Sequence, residues 1–421
     1  MAPLFGKRTM HQPAVSLLIS IILAVGCQDY TGPKVLAPPT TSVTIQVDST
    51  QTFQTWRAWA GRAVTDLPAN VRNGILHDAV QDLGINGIGI EARFNSRNPG
   101  QTGWDSVGTM TFVNNWVLPL KQLVGSDFHF TVRGSGQPAT PLEVTRVLNA
   151  LNSRGLVPDE WIVLNEPDVG QRATTASLAN AAAATCLALT QAGVPTRISG
   201  PTNSTVTAAL SFAEVLVNDG RLNGCIGELS FHMYGALTQS NLSSIGNLSR
   251  QTGIPSGMDE HHGAPITELY DAIEFANISL WQRDGFGGTG CRTCYSLYTA
   301  AGSQSFLAGN TGVYRQFYRA IRPGMVRWQA TSSVPSDRVV AFGGGGKTAV
   351  VVRSVAGDTV VVQGLAAGSY EVFYTLGKGD WTGGGTPSPR AVTLPTVTVT
   401  SGQDLKTVIP GTGVITARRI G

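Results

Sequence analysis

The stretch Trp161-Ile162-Val163-Leu164-Asn165-Glu166-Pro167-Asp168 decides how this chain reads. Its apolar run, with two β-branched residues, predicts a short buried strand. Proline cannot extend a ladder, and Asn and Asp favour turns, so the strand stops where the Glu166 carboxylate begins. A carboxylate at the mouth of a buried strand has partly lost its water, which suits it to proton transfer near neutral pH. Alone, Glu166 reads equally well as a polar strand cap. A second strand ending the same way, Ile254-Pro255-Ser256-Gly257-Met258-Asp259-Glu260-His261-His262-Gly263, favours a site.

Strand-like and helix-like stretches alternate on both sides of that centre. Gln46 to Gln54 predicts an edge strand leading in. Trp56 to Arg62 and Ala69 to Leu83 make a first strand–helix pair, Ile85 to Arg93 and Phe112 to Val124 a second, and Phe128 to Arg133 and Pro141 to Ser153 a third. The Asn-Glu-Pro strand precedes an alanine-rich helix over Thr174 to Ala192. Arg197 to Gly200 with Thr207 to Val217, and Ile226 to Tyr234 with Ser240 to Thr252, follow. The Met258-Asp259-Glu260 strand is the seventh, with a helix predicted from Ile266 to Trp281. The eighth strand is expected within Tyr295 to Tyr298 and the eighth helix within Thr311 to Ile321. Eight such alternations predict an α/β fold, a (β/α)8 TIM barrel. A doubly wound open sheet fits less well, because no glycine-rich dinucleotide turn follows the first strand.

From Met325 the texture changes to short β-rich runs, Val339 to Phe342, Thr348 to Val355, Thr359 to Val362, Ser369 to Tyr374, Arg390 to Leu394 and Thr396 to Thr400. Glycine clusters punctuate them and no helical period intervenes. This predicts a C-terminal all-β sandwich, its first strand completed by the segment before the barrel.

The 421 residues suffice for both parts, and with 14% charged and 42% hydrophobic residues the composition is globular. A formal charge of +3 without a basic block argues against nucleic acid as a partner. At the N-terminus, Lys7, Arg8 and His11 precede an apolar run from Ala14 to Gly26 that ends at Cys27. That is the pattern of a signal-peptide core, too short for a comfortable membrane span. Leu23-Ala24-Val25-Gly26-Cys27 resembles a bacterial lipobox, apart from Ala24 where a larger aliphatic residue is commoner. A plain secretory signal or an uncleaved anchor is the alternative. The expected order is therefore signal peptide or lipobox over 1–27, linker over 28–45, barrel over 46–324 and sandwich over 325–421. The product is an exported monomer, touching membrane only through a lipid anchor at Cys27. Four further cysteines suit an oxidising compartment. Cys186 with Cys225 and Cys291 with Cys294 is one of three pairings open to them.

In a barrel, residues at the C-terminal ends of strands gather at one face. Those residues are Arg93, Asn165, Glu166, His232, Tyr234 and Glu260. Two carboxylates facing each other across a barrel mouth suit glycosidic hydrolysis. Asn-Glu-Pro after a fourth strand, with Glu after a seventh, resembles the retaining glycoside hydrolases of clan A. With an appended sandwich, and with Gln51-Thr52-Phe53-Gln54 and Phe317 to Gly324 flanking the barrel, the chain is most similar to family 30, and families 39 and 79 are neighbours in style. The resemblance implies that Glu166 is the general acid/base and Glu260 the nucleophile. It implies that Asn165 binds the sugar 2-hydroxyl, Tyr234 and Arg93 support the Glu260 charge, and His232 lines the sugar site. An oligo- or polysaccharide is the implied substrate, and no cofactor or metal is required. The Trp that the clan commonly places after strand eight is not evident, since Trp281 falls within the predicted helix.

Two other readings stand beside this one. Metal-dependent hydrolysis by Glu260, His261, His262 and His232 is disfavoured, because adjacent strand residues point to opposite faces and no His-Glu-x-x-His spacing occurs. A surface glycan-binding lipoprotein that kept the barrel but lost its chemistry is the alternative; retention of both carboxylates weighs against it. Arg97, Arg133 and Arg172 near the mouth are candidates for a uronic carboxylate, and Trp56, Trp59 and Trp104 for sugar stacking or for core packing.

Overall fold

The structure, a computed structural model, describes residues 41–94, 103–261, 265–288, 296–355, 357–379 and 388–420. Residues 1–40 with Cys27, and Arg97, His262, Cys291 and Cys294, lie outside the described residues. The first strand, β1 (Thr41–Thr55), is followed by the eight strands of a closed parallel barrel. These are β2 (Ala58–Arg62), β3 (Gly87–Phe94), β4 (His129–Gly136), β5 (Glu160–Ile162), β6 (Arg197–Asn203), β7 (Ile226–His232), β8 (Ser256–His261) and β9 (Ile278–Arg283). Pairing of Ala58 to Gly61 in β2 with Leu280 to Arg283 in β9 closes the ring and excludes an open sheet. Helices that bury one apolar stripe surround it, among them Pro141–Asn152, with a Thr140–Glu143 capping box, and the alanine-rich Thr175–Gln191.

The end of the barrel departs from expectation. The helix after β8 spans only Ile266–Glu274, and Asn277 turns the backbone through a left-handed conformation (φ 58°). The following Ile-Ser-Leu-Trp-Gln-Arg, buried at every position, is the eighth strand. A strand buried on both faces lacks the apolar–polar alternation that would distinguish it from a buried helix. Ser296–Ala301, expected as that strand, is instead the middle member β11 of a small sheet with β10 (Gly285–Gly288) and β12 (Gln304–Leu307). Trp281 therefore does stand on strand eight.

Beyond the helix Thr311–Ala320, the chain forms β13 (Val326–Ser332), β14 (Arg338–Gly344), β15 (Lys347–Ser354), β16 (Asp358–Gln363), β17 (Gly368–Leu376), β18 (Val392–Val399), β19 (Leu405–Ile409) and β20 (Gly413–Arg419). They order as β18-β17-β20-β15-β14-β13-β1-β16-β19. β1 lies antiparallel to β13 and parallel to β16, so the strand preceding the barrel sits inside the sandwich sheet. Val43, Ile45, Val350, Val352, Val360, Val362, Tyr370 and Leu405 form the sandwich core. Phe342 and Phe373 join the barrel's own apolar cluster, and Trp56 packs edge-on against Phe342. Trp56 and Trp59 are both fully buried, and their role is packing.

At the N-terminal end of the barrel Arg57 reaches two carboxylates, Glu160 at 2.6 Å and Glu228, while Ser199 Oγ donates to Glu228 at 2.9 Å. Burial opposes the charge of Glu160, but Arg57 and His129 outweigh it and hold the carboxyl at about 2. This ionic plug closes the face opposite the candidate site.

Candidate active site

The Asn-Glu-Pro-Asp turn is held from the side by the end of β6. The Glu166 amide donates to the Thr202 carbonyl at 3.1 Å, and Thr202 Oγ1 donates to the Leu164 carbonyl at 2.9 Å. Asp168 accepts from the amide (3.0 Å) and the hydroxyl (2.6 Å) of Ser204. The Asn165 amide donates to the Gly134 carbonyl at 2.9 Å. Gly134 must be glycine, since a Cβ there would lie 2.6 Å from the Val163 carbonyl oxygen. Within this frame Glu166 adopts φ 48°, a left-handed backbone conformation that costs a residue with a Cβ about 1–2 kcal/mol. The turn's hydrogen bonds hold that strain and aim the side chain into the barrel mouth.

Glu260, at the end of β8, is almost wholly buried. Arg62 Nη1 and Arg133 Nη1 both donate to its Oε2, and the Tyr234 hydroxyl donates to Oε1 at 3.1 Å. Such surroundings favour the carboxylate form. Burial, together with the Glu260 charge, pushes the Tyr234 phenol far above its ordinary range, so it remains a donor. Burial also works against the Arg62 charge, but Glu260, Asp284 and Glu91 more than offset it and raise its pKa. Arg62 bonds Glu91 at 2.7 Å and meets Asp284 at 3.0 Å.

Asn165 Oδ1 accepts from Arg133 Nη1 at 2.7 Å. His232 is fully buried, with Nδ1 3.2 Å from Glu166 Oε1. Arg93 does not reach Glu260: its side chain is 61% exposed and bonds Glu91 at 3.3 Å. The support expected from Arg93 comes instead from Arg62 and Arg133, neither of which was named as a ligand of Glu260 from the sequence. A charged residue closing an apolar strand, as in Phe130-Thr131-Val132-Arg133, was the available signal, because a buried arginine requires a carboxylate partner. Of the other candidate arginines, Arg133 is thus spent on the site, and Arg172 is exposed and donates to the Asn165 carbonyl at 3.4 Å. Trp104 is partly buried, donating to Thr109. Trp281 is fully buried and stacks under His261, ring centroids 5.1 Å apart and 16° from parallel. Beside Arg62 a cleft of about 380 Å³ opens, lined by Glu91, Arg93, Asp105, Thr109 and Phe112.

Ligand atoms of Glu166, His232 and Glu260 all lie within 4.8 Å of one another. That spacing would admit a metal ion, but two guanidinium charges already meet Glu260, and a cation placed there would face both. The arrangement is better matched to two carboxylates acting on one bond between them.

No family model matches the sequence, and no curated protein sequence matches it. Solved structures do resemble the fold. The catalytic domain of GH30 xylanase C from Talaromyces cellulolyticus superimposes with a TM-score of 0.69 at 13% identity, over 90% of this chain and 100% of that one. A GH30 endoxylanase from Clostridium papyrosolvens C71 gives 0.66 at 15% identity, again over 90% and 100%. An endo-β-1,6-glucanase gives 0.64 at 13%, over 92% and 95%. The chain has the barrel-plus-sandwich fold of the family 30 glycoside hydrolases of clan A.

Proposed function

We propose that this protein is an exported glycoside hydrolase that cleaves β-glycosidic bonds with retention of configuration. One observation carries the reading: an oxygen of Glu166 and an oxygen of Glu260, each at the end of a barrel strand, lie within 4.8 Å. Retaining enzymes need carboxyl groups about 5–5.5 Å apart, whereas inverting enzymes leave room for water at about 6.5–9.5 Å. In the reaction Glu260 attacks the anomeric carbon while Glu166 gives its proton to the departing glycosidic oxygen. The glycosyl ester formed on Glu260 is then opened by water, whose proton returns to Glu166, so both residues end as they began. Arg62, Arg133 and Tyr234 hold the nucleophile in place. Asn165, its Oδ1 taken by Arg133, keeps its N–H group for the sugar 2-hydroxyl.

The N-terminal segment supports export, through a lipid on Cys27 or by plain secretion. The Cys186–Cys225 disulfide suits an oxidising compartment. Among the described residues no helix is long and apolar enough to cross a membrane.

The test is reducing-sugar release from a panel of xylans, β-glucans, galactans and uronic-acid glycans. Glu166→Gln and Glu260→Gln run beside the native protein, each checked for folding. Turnover lost by at least about 10³-fold in both variants fits the roles assigned. Turnover surviving Glu260→Gln removes the nucleophile assignment. No turnover on any glycan, with binding retained, favours the non-catalytic glycan-binding lipoprotein.

A further inference from the structure

Beneath the two glutamates lies a polar pair, His232 and Asp259, that the proposed reaction leaves unused. His232 Nε2 and Asp259 Oδ1 face each other at 3.5 Å, both fully shielded from water, and among the described residues neither atom has a hydrogen-bond partner within ordinary bonding geometry. The other edge of the imidazole, Nδ1, lies 3.2 Å from Glu166 Oε1. Asp259 Oδ2 accepts from Arg133 Nη2 at 2.9 Å, and Arg133 continues through Nη1 to Glu260. One connected path, Glu166–His232–Asp259–Arg133–Glu260, thus passes under the site.

We propose that Asp259 is a positioning residue for Glu166: by accepting the Nε2 proton of His232 it leaves Nδ1 bare toward Glu166. A neutral imidazole carries a single N–H. With that hydrogen committed to Asp259, the bond between Nδ1 and Glu166 forms only if Glu166 supplies its own proton. A Glu166 that carries its proton, the form that departure of the glycosidic oxygen requires, is the partner a bare Nδ1 can bond, so the inference rests on the reading of Glu166 as the general acid. Four neighbours decide whether Asp259 can accept. Arg133 from β4 and His232 from β7 favour its charge, Glu260 beside it disfavours it, and Gln282 from β9 donates only to its backbone carbonyl. Burial pushes the Asp259 carboxyl up, and the contact with Arg133 opposes this.

The experiment needs no substrate. The full chain carries six histidines; with ¹⁵N-labelled histidine, His232→Gln assigns the His232 resonances. The native protein is expected to show the Nε2–H tautomer. In Asp259→Asn, Arg133 still demands the amide oxygen, which turns the amide N–H toward Nε2 and converts His232 to the Nδ1–H tautomer. A native Nδ1–H tautomer, or a tautomer unchanged in a folded Asp259→Asn, overturns the proposal. Should Asp259→Asn fail to fold, the native tautomer alone decides. An Nε2–H tautomer in a protein that releases no sugar would sink the hydrolase reading and leave the Asp259–His232 geometry standing.

Discussion

Arg57→Met isolates the ionic plug at the closed end of the barrel. The substitution keeps much of the side chain's bulk but leaves Glu160 only His129 and Glu228 only Ser199 as partners among the described residues, with side chains 4% and 0% exposed. In the native fold the Glu160 carboxyl sits at about 2, against 4.5 when unperturbed. A shift of about 2.5 units is worth about 3 kcal/mol, and loss of one partner from a buried pair costs about 3–5 kcal/mol. For a chain this long each kcal/mol moves the melting temperature by roughly 1 °C, so a fall of about 3–5 °C is expected at pH 7. A depressed carboxyl stabilises the fold fully above its unfolded value and ceases to do so as pH falls through its folded value. The gap between native protein and variant should therefore be complete above about pH 4.5 and close toward about pH 2. Scanning calorimetry at pH 7, 5, 4 and 3 measures it. A gap under 1 °C at pH 7, or one that stays constant with pH, would refute the reasoning. Arg57→Met with Glu160→Gln and Glu228→Gln should recover part of the loss.

Three further outcomes follow from the site and its frame. Asp168→Ala removes both anchors to Ser204 and should lower turnover on any accepted glycan by about 10–100-fold, with a melting change of only a few degrees. Gly134→Ala forces β4 and β5 apart at the Val163 carbonyl; a drop in turnover together with about 1–3 kcal/mol of stability is expected, and a fully native melt would contradict the close approach. Cys186→Ser opens a loop closed across a separation of 39 residues, for which chain entropy gives about 4 kcal/mol. The same destabilisation should follow from reduction of the native protein, and a melt insensitive to reductant would argue against the bond.

Most of the barrel could be read from the chain because its elements follow simple periods. The helix expected over Pro141 to Ser153 spans Pro141–Asn152, and the fourth and seventh strands were marked by carboxylates at their ends. The last strand resisted because Ile278–Arg283 is buried on both faces and follows its helix after only three residues. The Asn277 turn was the missed stop signal. In the site, Glu166, Glu260, Asn165, His232 and Tyr234 lie at one end of the barrel, but His232, expected to line the sugar site, is fully buried against Glu166. Arg93 was chosen for standing at a strand end, but its side chain shares a face with Glu91 and pairs there. Arg62 is not among the sequence candidates and Arg133 is there only for a uronic carboxylate, because nothing local to an arginine reveals which carboxylate, more than a hundred residues later, will require it.

The placement of β1 ties the order of synthesis to the order of assembly. Thr41–Thr55 leaves the ribosome before the barrel, yet its partners, Val326–Ser332 and Asp358–Gln363, emerge some 270 to 320 residues later. Until then this strand presents two open edges, the configuration most prone to pairing with another chain. The sandwich is thus a clasp whose two halves are separated in sequence by the whole barrel, so it can shut only after the barrel segment has been made. A barrel cut free at residue 324 would keep one half of the clasp and gain a sticky edge.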